Sequence, residues 1–394
     1  MKILLVCESF SAKLSGGKVV RFLLKILRMH GHDVQVAVTS PLDGTEDPVP
    51  DDNLGGVSAI SSNTRYYARL YAVANASAVP EAFVRLLDGF RPDIVHFASF
   101  DHTKSVSLYR ACLARPCRVV LQPWTMHFFC AQGFGFRADR VCTQCISSGF
   151  SAAISEGCTT LRGCVGQIER AAMHRTVAPA AHAILSSNRD LDTVLSAYGF
   201  PSERVHRFPV AFDASLTAPA DDGEGDYFAY YGQMNSHKGS DVLLDTFRRL
   251  PDKQLRCYPM NPFTPSKPLP PNVQIIPGLG WDSGLRDAIA GSRAVVVPSQ
   301  WMTSTEYTLC EAMCMRKPVV AFDIGAHKEL LIHGQNAMVV PAWDLEGFKA
   351  ALCALDDRQL ARRIGHAGAA RIAAINKPET LHANLLAAYG AAMQ

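Results

Sequence analysis

Residues 294–329 read AVVVPSQWMTSTEYTLCEAMCMRKPVVAFDIGAHKE. The apolar run Ala294 to Val297 predicts a buried strand that ends in Pro298-Ser299. A helix is predicted to open near Ser304-Thr305, capped by one of those hydroxyls, and to carry Glu306 and Glu311. Lys317-Pro318 stops it, and Val319 to Phe322 predicts a second buried strand that runs into a glycine turn. Strand, helix and strand in this order form the crossover unit of a parallel sheet. The unit places a helix N-terminus, suited to phosphate, beside a carboxylate a short way into the same helix.

The rest of the chain fits that unit. Its 394 residues suit two domains of ordinary size. Hydrophobic residues at 48% and charged residues at 19% belong to a globular chain with large cores, not a disordered one. A net charge of +3 is too small to argue for nucleic acid or an anionic membrane. No run of about 18 apolar residues occurs, so no spanning helix is expected. The start, MKILLVCE, is read as a first buried strand. As a signal peptide its apolar run is short, Glu8 follows at once, and no small-residue cleavage site comes after. These readings place the chain in the cytosol. The basic residues Lys13, Lys18, Arg21, Lys25 and Arg28 are either an ordinary solvated face or a contact with the inner membrane face.

Strand and helix alternate along the chain, which predicts an α/β fold of doubly wound sheets. Lys2 to Cys7 is a predicted strand, and Gly16-Gly17 opens a helix to Met29 with Leu23, Leu24, Ile26 and Leu27 as its apolar stripe. Val34 to Val38, Pro92 to Phe97, Arg118 to Leu121 and Ala183 to Ser186 continue as strands, and Gln167 to Arg175 and Arg189 to Tyr198 as helices. Ala218 to Asp226 reads as a linker. The alternation then restarts with a strand at Tyr227 to Tyr231, a loop at Gly232 to Gly239 and a helix at Ser240 to Leu250. The expected division is a domain over 1–215, a second over 216–376 and a final helix over 377–394.

Together these segments resemble a glycosyltransferase of the two-Rossmann-domain (GT-B) type, and most of all glycosyltransferase family 4. GQMNSHKGSDVLL (232–244) resembles the family's Gly-Arg…Lys-Gly loop. PSQW with EAM…KPVVA resembles its carboxylate-helix motif, and IGAHKE…HGQNA its Gly-Gly-x-Pro-Glu and Asn-Gly segment. The resemblance implies two Rossmann-like domains facing across a cleft. The first would hold the acceptor and the second the nucleotide sugar, with the final helix crossing back onto the first. It implies transfer of a sugar from a nucleotide sugar to a hydroxyl, with retention at the anomeric carbon. UDP is favoured by family frequency, and polysaccharide, glycolipid or natural-product glycoside assembly is the expected setting.

The residues support parts of this directly. Lys238, in a glycine-flanked loop after a strand, can offset the charge of a departing diphosphate. Glu311 can accept both ribose hydroxyls, while the amides of Glu306, Tyr307 and Thr308 face donor phosphates. Gly16 and Gly17 would let the backbone approach phosphate or sugar, with a plain tight turn as the alternative. Three positions leave the family pattern. Thr303 stands where the first of two glutamates eight apart is implied, with either Glu306 as its substitute or the contact absent. Gln233 replaces the arginine ahead of Lys-Gly, which removes one cation from the diphosphate site. Trp124 and Thr125 stand where a His-Asp pair is implied, and His127 nearby is the candidate for that catalytic role, with a core or loop histidine as the alternative.

Between 130 and 164 the rhythm breaks into a segment rich in Gly, Ser and Cys. Cys130, Cys142, Cys145, Cys158 and Cys164 lie there, and Cys142-Thr-Gln-Cys145 has the spacing of a metal knuckle. Four of the five thiolates would suit structural zinc or an iron–sulfur cluster. Buried reduced thiols, or one disulfide, are the alternative. The transfer chemistry itself needs no divalent metal if the leaving phosphate takes the acceptor's proton. Two other readings fit the same fold: a sugar-nucleotide epimerase, and a catalytically degenerate nucleotide- or metal-binding protein.

Overall fold

The computed structural model describes residues 1–7, 10, 15–39, 57–59, 81–98, 105–124, 126, 129–137, 140–160, 179–209, 211–214, 217, 225–302, 304 and 306–394. The chain forms two compact units, Met1–Phe212 with Pro378–Gln394, and Asp213–Lys377. The helix read at 167–175 and most of the linker read at 218–226 lie outside the described residues.

In the first unit the strands are β1 (Lys2–Cys7), β2 (Asp33–Val38), β3 (Val57–Ala59), β4 (Ile94–Phe97) and β5 (Arg118–Leu121). A small antiparallel hairpin follows, β6 (Phe136–Arg137) with β7 (Arg140–Val141), and then β8 (Ala183–Ser186) and β9 (Val205–Arg207). All but the hairpin pair in parallel, in the order β3-β2-β1-β4-β5-β8-β9. Ile3 to Cys7 are buried without alternation, the mark of a strand covered on both faces. The helix Ser15–Met29 buries Val19, Val20, Leu23, Leu24, Ile26 and Leu27, the stripe its spacing predicts.

The second unit repeats the plan with β10 (Tyr227–Gly232), β11 (Gln254–Pro259), β12 (Val273–Ile275), β13 (Ala294–Val297), β14 (Val319–Asp323) and β15 (Met338–Pro341). They form a parallel sheet in the order β12-β11-β10-β13-β14-β15. The strand order reverses between β10 and β13. At such a switch point the connections leave to opposite sides and open a crevice at the carboxyl ends of the strands.

The last helix, Pro378–Met393, belongs to the first unit. It buries Leu381, Leu385, Ala388, Tyr389 and Ala392, and it packs on β5 and β8. Its polar anchor is a hydrogen bond of 2.9 Å between the Tyr389 hydroxyl and His96 Nδ1 on β4. His96 is fully buried, and burial pulls its pKa down to about 3. The imidazole is therefore neutral in the folded chain.

Removing the hydroxyl strands a buried ring nitrogen, so Tyr389→Phe should cost about 1–3 kcal/mol in urea melts at pH 7. A pH dependence follows from the same group. Above about pH 6.5 His96 is neutral in both folded and unfolded chains. Below it the unfolded chain takes a proton that the folded chain refuses down to about pH 3. The wild type should therefore lose roughly 2 kcal/mol more than His96→Gln between pH 7 and pH 5.

Candidate functional site at the switch point of the second sheet

Strand β10 ends at Gly232 and hands over to the loop Gln233–Gly239. Asn235 Oδ1 accepts from the Lys238 amide at 3.2 Å and caps a single 3-10 turn, Ser236–Lys238. Gly239 holds φ at +76°, and a Cβ there would sit 2.0 Å from the Pro298 carbonyl oxygen. Only glycine lets this loop close on the end of β13. A second tie runs from the Gln300 amide to the His237 carbonyl at 2.8 Å. The two loops that leave the switch strands are thereby fastened together.

The functional side chains meet at that junction. Lys238 Nζ lies 2.5 Å from Glu306 Oε1, and Ser299 Oγ donates to Glu306 Oε2 at 3.1 Å. The Lys238 ammonium also lies 4.9 Å from the centre of the Trp301 ring. Glu306 is only 5% exposed. Burial by itself would raise its pKa. The Lys238 charge, the nearness of His327 and the hydrogen bonds from Lys238 and Ser299 outweigh burial and hold it below the usual carboxylate range. Glu306 is thus a buried carboxylate kept ionised by its neighbours.

The helix start differs from the expected one. The helix runs Tyr307–Cys314, and Glu306 precedes it in extended backbone with φ −106° and ψ 96°. Glu306, the residue at this end, makes no side-chain capping bond. Its carboxylate is committed to Lys238 and Ser299 instead, which accounts for the late start. Glu306 and Ser304 therefore stand before the helix and not within it.

Glu311 lies in the second turn and is buried. The helix is stitched to β10 beside it, since the Tyr231 hydroxyl donates to the Thr308 carbonyl at 2.8 Å and Thr308 Oγ1 donates to the Tyr231 carbonyl at 3.4 Å. Burial, and then the nearby Glu311 charge, push the Tyr231 phenol far up. Gln233 carries an exposed side chain whose Oε1 accepts from Asn235 Nδ2 at 3.4 Å. Tyr307 is buried at the helix start.

Sequence reasoning passed over His327, which sits just past β14 and is fully buried. Its Nδ1 lies 2.8 Å from the Phe322 carbonyl oxygen. A carbonyl only accepts, so Nδ1 carries the proton. Nε2 is buried without a hydrogen-bond partner. Burial lowers the pKa, Glu306 pulls the other way, and the net shift is downward. The one sequence signal was a histidine placed directly after the glycine turn that ends a buried strand.

In the first unit Gly16 has a packing reason of its own. A Cβ there would meet the Trp124 ring at 2.7 Å. Gly17 is buried in the same first turn. His127, Thr303, Thr305 and Cys164 lie outside the described residues. Of the other cysteines, Cys145 is buried against Phe150 and Ala153, while Cys130, Cys142 and Cys158 are half-buried. Burial raises the Cys145 thiol, and Cys130, Cys142 and Cys158 stand near enough to raise it further, against a hydrogen bond from the Ala131 backbone. Among the described residues no group of three or more His, Cys, Asp or Glu side chains is arranged to hold a metal ion.

Comparison with known proteins agrees with this geometry. The glycosyl transferase 4-like domain model matches residues 16–211, and the model for glycosyl transferases group 1 matches residues 225–357. The chain belongs to the group 1 glycosyl transferases. It is 26% identical over 242 residues to a D-inositol 3-phosphate glycosyltransferase of Jonesia denitrificans. That match takes in 50% of this chain and spans about half, 54%, of the relative. Among solved structures, sucrose-phosphate synthase from Thermosynechococcus elongatus shares the fold at a TM-score of 0.70 and 14% identity, over 98% of this chain and 97% of that one. Anabaena HepE, solved with UDP and glucose, does so at 0.65 and 13%, over 98% of each chain. The fold is accordingly the GT-B arrangement of two Rossmann-like domains.

The ion pair should behave as one unit. Lys238→Met leaves a buried carboxylate without its cation and should cost about 3–5 kcal/mol. Adding Glu306→Gln should recover most of that loss. Urea melts of the two single variants and the double variant measure the coupling, and simple additivity would show that the pair carries no mutual stabilisation.

Proposed function

We propose that the chain transfers a sugar from a UDP-sugar to a hydroxyl of a carbohydrate or polyol acceptor, with retention at the anomeric carbon. The observation that carries this is the meeting of Lys238, Ser299 and Glu306 at the switch point, with Glu311 in the adjoining helix. Family membership and the UDP and glucose held by the HepE structure support it. The Jonesia relative, a D-inositol 3-phosphate glycosyltransferase, supports a polyol-type acceptor.

The nucleotide would lie along the carboxyl ends of β10 and β13. Glu311 would accept the ribose hydroxyls, and the helix opening at Tyr307 would offer its positive end to the phosphates. Lys238 would share its charge between Glu306 and the leaving diphosphate. The bond from the anomeric carbon to the phosphate oxygen breaks, and a bond from that carbon to the acceptor oxygen forms on the same face. The acceptor's proton passes to the departing phosphate oxygen, so no protein nucleophile is required.

Glu311→Ala and Lys238→Ala should each lower acceptor-dependent UDP release by roughly 10²–10³-fold. Undiminished turnover in both would overturn the site. UDP release without any acceptor would favour the epimerase reading. An inverted anomeric signal in the product's proton spectrum would overturn retention alone.

We also propose that the cysteine segment holds one structural metal through thiolates. The closeness of Cys130, Cys142, Cys145 and Cys158 supports it, as does the backbone hydrogen bond to Cys145. Ligation would require these side chains to draw together from their present positions. Elemental analysis of anaerobically purified protein should find about one zinc, or the iron of one cluster, per chain, lost in Cys142→Ser. Folded wild type without metal would overturn the proposal.

A further inference from the structure

The one cation at the loop junction is cancelled before any ligand arrives, and Glu311 and Asp323 add only negative charge nearby. Lys238 contributes a positive charge and Glu306 a negative one, joined at 2.5 Å. Gln233 brings none. His327 is neutral, with its proton fixed on Nδ1 by the Phe322 carbonyl. A nucleotide diphosphate brings negative charge to a place where Lys238 is already paired. Glu306, buried and held by Ser299 as well, cannot turn away into water. Something must supply positive charge, or the carboxylate and the diphosphate repel each other at low dielectric.

His327 is the group placed to do so. It is fully buried and close enough to Glu306 and Lys238 for each to bias its ionisation. Its Nε2 is buried with no partner among the described residues, an arrangement that is costly in an interior until a partner completes it. We propose that His327 takes up a proton at Nε2 when a nucleotide diphosphate binds beside Lys238, so that donor binding by this chain is proton-coupled. The proton comes from bulk solvent, and no covalent bond changes. Nδ1–H keeps its bond to Phe322, so the ring needs no reorientation to become an imidazolium. The groups that act on the ring are Glu306 and Asp323, which favour the charged form, and Lys238 and burial, which oppose it. An added dianion tips that balance. His327 is a positioning residue in this scheme: it restores the charge that Glu306 withdraws from Lys238.

The inference rests on the proposed donor site, and calorimetry tests the two separately. UDP-glucose is the suitable probe, because its diphosphate has no proton that titrates near neutrality. Its binding is measured in phosphate, HEPES and Tris buffers at one pH. The heat should vary with buffer ionisation enthalpy by an amount equal to uptake of about one proton. The affinity should fall by about tenfold for each unit of rising pH while His327 is neutral in the free protein and charged in the complex. His327→Gln keeps a donor for the Phe322 carbonyl. It should bind on the order of tenfold more weakly or worse, with no buffer-dependent heat and a flat pH profile. Glu306→Gln frees Lys238 and should also abolish most of the uptake. Wild-type binding without proton uptake overturns the inference and leaves the donor site standing, as does undiminished uptake in His327→Gln. No binding by wild type overturns the donor site itself.

Discussion

The buried contact between Lys238 and Glu306 organises the second unit around it. The two residues come from loops that leave β10 and β13, the strands on either side of the reversal in strand order. A charged pair at 18% and 6% side-chain exposure is stable only if its geometry is held closely and its remaining lone pairs are satisfied. The surrounding structure meets both demands. Gly239 allows the loop to close against Pro298, Gln300 ties the loops through the backbone, and Ser299 occupies the second carboxylate oxygen. The late start of the helix at Tyr307 belongs to the same arrangement, because a glutamate turned toward Lys238 leaves helical backbone to reach it.

The fold was legible from sequence because doubly wound sheets write themselves in long apolar runs. Ile3 to Cys7 and Ala294 to Val297 are buried on both faces, so no polar residue interrupts them. Two short edge strands of the first sheet were not legible. Val57–Ala59 and Val205–Arg207 are three residues each, too short for periodicity to show. The helix boundary failed for a different reason. The ion pair with Lys238 holds Glu306 in extended backbone, so the helix begins after it at Tyr307.

Within the site, residue type was a good guide and partnership was not. Lys238 and Glu311 stood out as charged residues set in a glycine loop and an apolar helix. Nothing in the spacing of residues 238 and 306 announces that their side chains touch. Such pairings depend on which strands are neighbours, and that is settled by topology. His327 was harder still. Its importance lies in what Nε2 lacks, and an unsatisfied atom leaves no mark in a sequence. Gly16 shows the reverse: a residue read for ligand approach has a sufficient explanation in the Trp124 ring above it.

The departures from the family pattern form one electrostatic set when taken together. The resemblance implies a carboxylate at 303, where the chain has threonine, and an arginine at 233, where it has glutamine. A carboxylate returns three residues later at 306, but there it faces the lysine of the β10 loop. Loss of one cation and neutralisation of the other act in the same direction. Each makes the free site less attractive to a diphosphate, and together they would leave it without net positive charge. A chain that still binds a nucleotide sugar under those conditions must obtain the charge elsewhere. The candidates near the pair are the helix dipole at Tyr307, equivalent to about half a charge and no more, and an imidazole that can gain a whole one. The second is the larger effect, and it is the only one of the two that depends on pH.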